Sequence, residues 1–128
     1  NRYETFKRFA TKTYENRSLL NQLLSDIEDA GKTYVGYGAP AKGNTLLTFM
    51  GMTSDRLKYI ADKSPLKQGR YTPGTHIPVV EAESIVRDSP DYVLILAWNF
   101  VEEIIDQLGD YKDAGGKFII PVPEAHIL

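Results

Sequence analysis

The residues best suited to chemistry are Gly36, Gly38, Lys42, Gly43 and Asn44, in the run Gly36-Tyr37-Gly38-Ala39-Pro40-Ala41-Lys42-Gly43-Asn44. Glycines let a backbone turn sharply and approach a ligand, and the free N–H groups at a helix start favour an anion, most often a pyrophosphate. Lys42, in the first turn of a predicted helix, would add a point charge to it. The spacing is G-x-G-x-x-x-x-G and not the dinucleotide pattern G-x-G-x-x-G, so NAD is only weakly supported. The stretch from Gly38 to Thr45 also mimics a P-loop, but Asn44 stands where that motif requires lysine, and an ATPase reading fails there. The same glycines would equally serve close packing of a strand on a helix.

Three further places carry candidate binding groups. Asp62 follows a short apolar run, where an acid often accepts hydrogen bonds from a ribose, or else simply solvates a strand end. The segment that follows holds Lys63, Lys67, Arg70, Tyr71 and His76. Cations clustered with an aromatic suit a phosphate next to a base or sugar, and an ordinary solvated loop would look the same. Trp98-Asn99 offers an aromatic platform and an amide, with core capping as the alternative for Trp98. Two histidines, His76 and His126, and no cysteine leave no recognisable metal motif.

These groups need a scaffold, and hydrophobic periodicity supplies one. Leu20, Leu23, Leu24 and Ile27 recur at helical spacing, predicting a helix over 2–30 that stops at Gly31. Strands are predicted at 33–37, 57–61, 76–80, 91–97 and 117–122, and helices at 41–50 and 81–87. A further helix carries the stripe Val101, Ile104, Ile105 and Leu108, with Asn99 as its cap and Glu102 at the capping-box position. The stretch 63–75, with Pro65, Gly69, Pro73 and Gly74, reads as a long loop, and such loops are usually functional or disordered. Strands alternating with helices predict an α/β fold: a Rossmann-like, three-layer parallel sheet with helices on both faces. The expected division is a leading helix at 1–31 and a Rossmann-like domain at 32–128. In such a sheet a ligand belongs beyond the carboxyl ends of the strands where strand order reverses, which here brings Gly36–Asn44 opposite Trp98-Asn99.

Composition bounds the partners. A net charge of −2 exerts no general pull toward nucleic acid or anionic membranes. No apolar run approaches the ~18–20 residues of a membrane span. The lack of cysteine fits a reducing cytoplasm. The sequence opens at Asn1 directly in helix-like sequence, which reads as a piece of a larger protein.

Three motifs, in order, carry a family resemblance. They are the run from Gly36 through Asn44 and on to Thr45-Leu46-Leu47, then Lys67-Gln68-Gly69-Arg70-Tyr71-Thr72-Pro73-Gly74-Thr75-His76-Ile77-Pro78, and Asp91-Tyr92-Val93-Leu94-Ile95-Leu96-Ala97-Trp98-Asn99. Together they resemble the C-terminal domain of SAM-dependent sugar C-methyltransferases, with Ala97 and Ser64 departing from the usual residues. The resemblance implies an upstream SAM-binding domain and an upstream structural zinc region, neither in this chain. It implies a nucleotide-linked deoxy-sugar on the C-terminal side, and no catalysis by this domain alone. Gly36, Gly38, Lys42, Gly43 and Asn44 would then lie at the pyrophosphate. Lys67, Arg70, Tyr71 and His76 would close over the nucleotide-sugar, with Trp98 and Asn99 on the opposite wall and Asp62 a further substrate-binding candidate. The competing readings are a self-contained NAD(P)- or SAM-binding domain and a purely structural packing domain.

Overall fold

Val93, Leu94 and Ile95 are fully buried, as a strand covered on both faces requires. They belong to β4 (Tyr92–Ile95), which lies parallel to β1 (Tyr34–Tyr37) near the middle of a six-stranded sheet. The structure, a computed structural model, describes residues 2–39, 41–122 and 124–128, with the backbone alone described for 2–14 and 41–45. Outward from β1 run β2 (Ile60–Asp62) and β3 (Val79–Glu81); outward from β4 run β5 (Lys117–Ile120) and β6 (His126–Ile127). The order is β3-β2-β1-β4-β5-β6, with only β6 antiparallel. The fold is therefore mixed α/β on a mostly parallel sheet, as the sequence pattern predicts, and strand order reverses between β1 and β4.

Alternate strand residues enter two separate cores. Tyr34, Ile60 and Leu94 pack with Leu20, Leu24 and Ile27 of α1 (Arg2–Asp29) and with Leu47 and Met50 of α2 (Ala41–Met50). Val35, Val93 and Ile95 pack instead with Ile85 of α3 (Glu83–Asp88), Ile104 of α4 (Val101–Gln107) and Tyr111 of α5 (Gly109–Asp113). The second half of α1 is part of the core, because Leu20 and Leu24 are both 0% exposed. The helix also holds the chain's end. The Asn16 amide donates to the Pro121 carbonyl at 2.8 Å, and its oxygen accepts the Ala125 N–H at 2.7 Å. Gly31, with φ of +73°, closes α1 as the sequence predicts.

Several boundaries differ from the sequence expectation. The second strand begins only at Ile60; Leu57, expected inside it, is a buried residue whose N–H closes a turn onto the Thr53 carbonyl. His76, expected in a strand, has φ of +57° in a turn, and β3 starts at Val79. Asn99 does not cap α4. Trp98–Phe100 forms a 3-10 turn closed by Phe100 N–H on Ala97, and Phe100 occupies the cap position without a side-chain bond. Pro121 ends β5, and the short antiparallel β6 follows it unforeseen. Among the described residues no helix is long and apolar enough to cross a membrane.

Tyr111 joins α5 to the sheet. Its hydroxyl is shared between the carbonyls of Pro90 at 2.8 Å and Lys117 at 3.2 Å. Burial pushes this hydroxyl from an ordinary 10 up to about 12, against a smaller opposing effect of the Lys117 carbonyl bond. Burial likewise raises Tyr34 and Tyr59, each further held neutral by a carboxylate, Glu28 and Asp88 respectively. Above pH 10 the unfolded chain loses phenolic protons that the folded chain keeps, so stability is complete below 10 and declines as pH rises toward 12. Urea unfolding from about pH 8 to about pH 11 should show this decline, and Tyr111→Phe should make it shallower while costing about 1 kcal/mol at neutral pH.

Candidate functional site

A cavity of about 310 Å³ opens at the carboxyl ends of β1 and β2, beside the point where strand order reverses. Its floor is Tyr37, Gly38 and Ala39. The turn after β1 is possible only with glycine. Gly38 has φ of +85°, and a Cβ there would stand 2.8 Å from the Ala97 Cβ and 3.3 Å from the Ala97 nitrogen. The turn therefore rests directly on the end of β4, and α2 begins soon after it at Ala41.

Asp62, Lys63 and Lys67 form one wall. The Asp62 carboxylate is 8% exposed and each of its oxygens accepts a backbone N–H, Oδ2 from Ala39 at 2.9 Å and Oδ1 from Ser64 at 2.8 Å. Gln68 closes the unit by donating to the Asp62 carbonyl at 2.9 Å. The Lys67 ammonium lies 4.0 Å from Asp62 Oδ2, a long ion pair that leaves most of its hydrogen-bonding capacity open.

The opposite wall is Ala97 together with one face of α4: Phe100, Glu103, Ile104 and Gln107. Ile104 is buried and anchors the helix in the core, whereas Phe100 is 56% exposed. The Tyr37 hydroxyl donates to Gln107 Oε1 at 3.3 Å. Burial, reinforced by the negative charges of Asp62 and Glu83, raises the pKa of Tyr37 above its ordinary value, so the phenol stays a neutral donor. The Glu103 side chain makes no hydrogen bond or ion pair among the described residues.

The structure brings Gly38, Asp62 and Lys67 together, and treats the other predicted residues differently. Gly36 is buried inside β1, where a Cβ would lie 3.1 Å from Ile60 and 3.2 Å from Leu96; its need for glycine comes from the core. The side chains of Lys42, Gly43 and Asn44 lie outside the described residues. Arg70, Tyr71 and His76, expected over the same crevice, are elsewhere. The segment after Lys67 turns back along β3: Gly69 N–H bonds Val79, Val79 N–H bonds Arg70, and Thr72 N–H bonds Ile77. This antiparallel run carries the tip of the loop toward the amino ends of the strands, away from the crevice. There Tyr71 and His76 stack at 4.5 Å with rings 7° apart, and Thr72 and Thr75 are buried beneath the turn. Trp98 and Asn99 occupy the 3-10 turn beside the cavity, but Ala97 and Phe100 line it. Residue-by-residue reading missed Tyr37, Phe100, Glu103 and Gln107. Their signal is the spacing of 100, 103 and 107 along one helix face next to the reversal point.

A mostly parallel sheet of order β3-β2-β1-β4-β5-β6, with a crevice over the reversal of strand order, defines a mixed α/β domain with an open cavity at the carboxyl ends of its strands. Within that class, this chain belongs to the C-methyltransferase C-terminal domain family, whose model matches residues 1–123. It is 39% identical over 123 residues to the C-methyltransferase NovU of Streptomyces niveus. That match covers 96% of this chain and 29% of the relative's length, so the relative is a much longer protein.

The contact between Gly38 and Ala97 is testable by substitution. Gly38→Ala combines a left-handed backbone with a collision and should cost about 2 kcal/mol or more. Gly74→Ala, at a φ of +76° with nothing within 4 Å, should cost about half as much. Urea unfolding of both variants checks this, and equal losses would show that the Ala97 contact is not tight.

Proposed function

We propose that this chain is the substrate-side domain of a SAM-dependent C-methyltransferase, and that its crevice holds the diphosphate of a nucleotide-linked deoxy-sugar. The observation that carries the reading is that Lys63 and Lys67 line the same open cavity as the Gly38 turn, at the reversal of strand order. Two lysines lining a cavity with a glycine turn that leads into a helix suit a diphosphate. Lys42, Gly43 and Asn44, at the start of α2, are assigned to the same phosphates on their sequence pattern. Asp62 acts here as a positioning residue, since both its oxygens hold backbone N–H groups that set the shape of the cavity.

The SAM and the structural zinc of the parent enzyme are assigned to upstream domains of the same polypeptide, with catalysis completed only in their company. The donor set here, two histidines and no cysteine, does not fit a structural zinc site. The glycine spacing and an Asp62 already engaged by backbone do not fit a nicotinamide or SAM pocket. The parent reaction in this reading moves a methyl group to a carbon of a nucleotide-linked keto-sugar in the cytoplasm. Neither nucleic acid nor membrane is a partner.

Calorimetry with thymidine diphosphate tests the assignment. Lys63→Ala and Lys67→Ala should each weaken binding about fivefold to tenfold, while Arg70→Ala, outside the crevice, should leave it unchanged. Loss on Arg70→Ala with full affinity in both lysine variants would move the phosphate site out of the crevice.

A further inference from the structure

The crevice has two chemically different walls, and only one of them suits a phosphate. Lys63 and Lys67 face it from the β2 side; from the α4 side come Phe100, Glu103 and Gln107. A diphosphate placed against Glu103 would be repelled by its carboxylate. A hydroxyl group would not, since an ionised carboxylate is an acceptor in search of donors. The Glu103 side chain is exposed and has no partner among the described residues, so its acceptors are open to a ligand in place of water. Gln107 accepts the Tyr37 hydroxyl on its oxygen, and among the described residues the two donors of its amide nitrogen are unused. Phe100, 56% exposed, lines the same wall. An acceptor, a donor and an apolar face on one helical stripe are the groups that recognise a hydroxylated ring. A bare cation is disfavoured by the lysines opposite, and Asp62 is already engaged.

We infer that the α4 wall recognises a sugar ring, with Glu103 accepting from a ring hydroxyl, Gln107 donating to a ring oxygen, and Phe100 covering one face. The inference rests on the diphosphate reading above and adds the orientation of the ligand: phosphates toward β2, ring toward α4. The ring belongs either to the nucleoside or to the transferred sugar, and the same chemistry serves both.

The test uses the intact polypeptide with three probes: inorganic pyrophosphate, thymidine diphosphate and thymidine-diphosphoglucose. Glu103→Ala and Gln107→Ala are at exposed helix positions, where alanine keeps the helix. Each should weaken the glucose-bearing probe about tenfold, and Glu103→Ala should leave pyrophosphate unchanged or tighter, because a repulsive charge is gone. A general loss of structure would instead weaken all three probes together. Loss confined to thymidine-diphosphoglucose assigns the ring to the transferred sugar; equal loss on thymidine diphosphate assigns it to the nucleoside. If both variants bind every probe like the parent while Lys67→Ala binds none well, the α4 wall has no part in recognition and the diphosphate reading stands alone. If the parent binds none of the probes, both readings fall.

Discussion

The carboxylate of Asp62 is the constraint from which the site follows. It sits at the end of β2, almost fully buried, and its two oxygens fix two different pieces of chain: the turn after β1 through Ala39 and the start of the long loop through Ser64. A charged group taken out of water is tolerated only when it is well hydrogen-bonded, and these two N–H donors and the distant Lys67 supply that compensation. The floor of the cavity and its cationic wall are thereby locked to one another. Were the carboxylate absent, the Ala39 N–H and the Ser64 N–H would each need another acceptor, and the loop that carries Lys63 and Lys67 would lose its anchor.

The second constraint is steric. Parallel strands β1 and β4 are neighbours in space and distant in sequence, so the residues that follow them lie side by side before the chain diverges into the crevice. At Gly38 there is no room for a Cβ beside Ala97, and at Gly36 there is little beside Ile60 and Leu96 inside the core. One glycine opens the crevice and the other keeps the sheet and its helices together. A sequence pattern that shows both as G-x-G gives them one role; the structure divides it into two.

Much of the architecture was legible from periodicity. The apolar run around Val93–Ile95 and the stripes through Leu20, Leu24, Ile104 and Leu108 marked buried strand and helix faces, because burial on a fixed repeat leaves a fixed spacing. What could not be read was set by contacts distant in sequence. The loop after Asp62 looked irregular because its order comes from pairing with β3, through Val79 and Ile77, and not from any local repeat. That pairing takes Arg70, Tyr71 and His76 away from the crevice that their side-chain chemistry seemed to suit. Asn99 had the chemistry of a cap, yet the 3-10 turn at Trp98–Phe100 moved the helix start one residue beyond it. Glu103 and Gln107 carry no motif of their own, and only the packing of the helix against Tyr37 brings them to the cavity.

The central claim, that the crevice at the β1–β4 reversal receives a nucleotide-linked sugar, is tested most directly by following backbone amide shifts while thymidine diphosphate, NAD and SAM are added separately. The account predicts that thymidine diphosphate alone perturbs Gly38, Ala39, Lys63, Lys67 and the start of α4, with Tyr71 and His76 unmoved. A selective response to NAD or SAM in those same residues, or a thymidine diphosphate response centred on Tyr71 and His76, would contradict it.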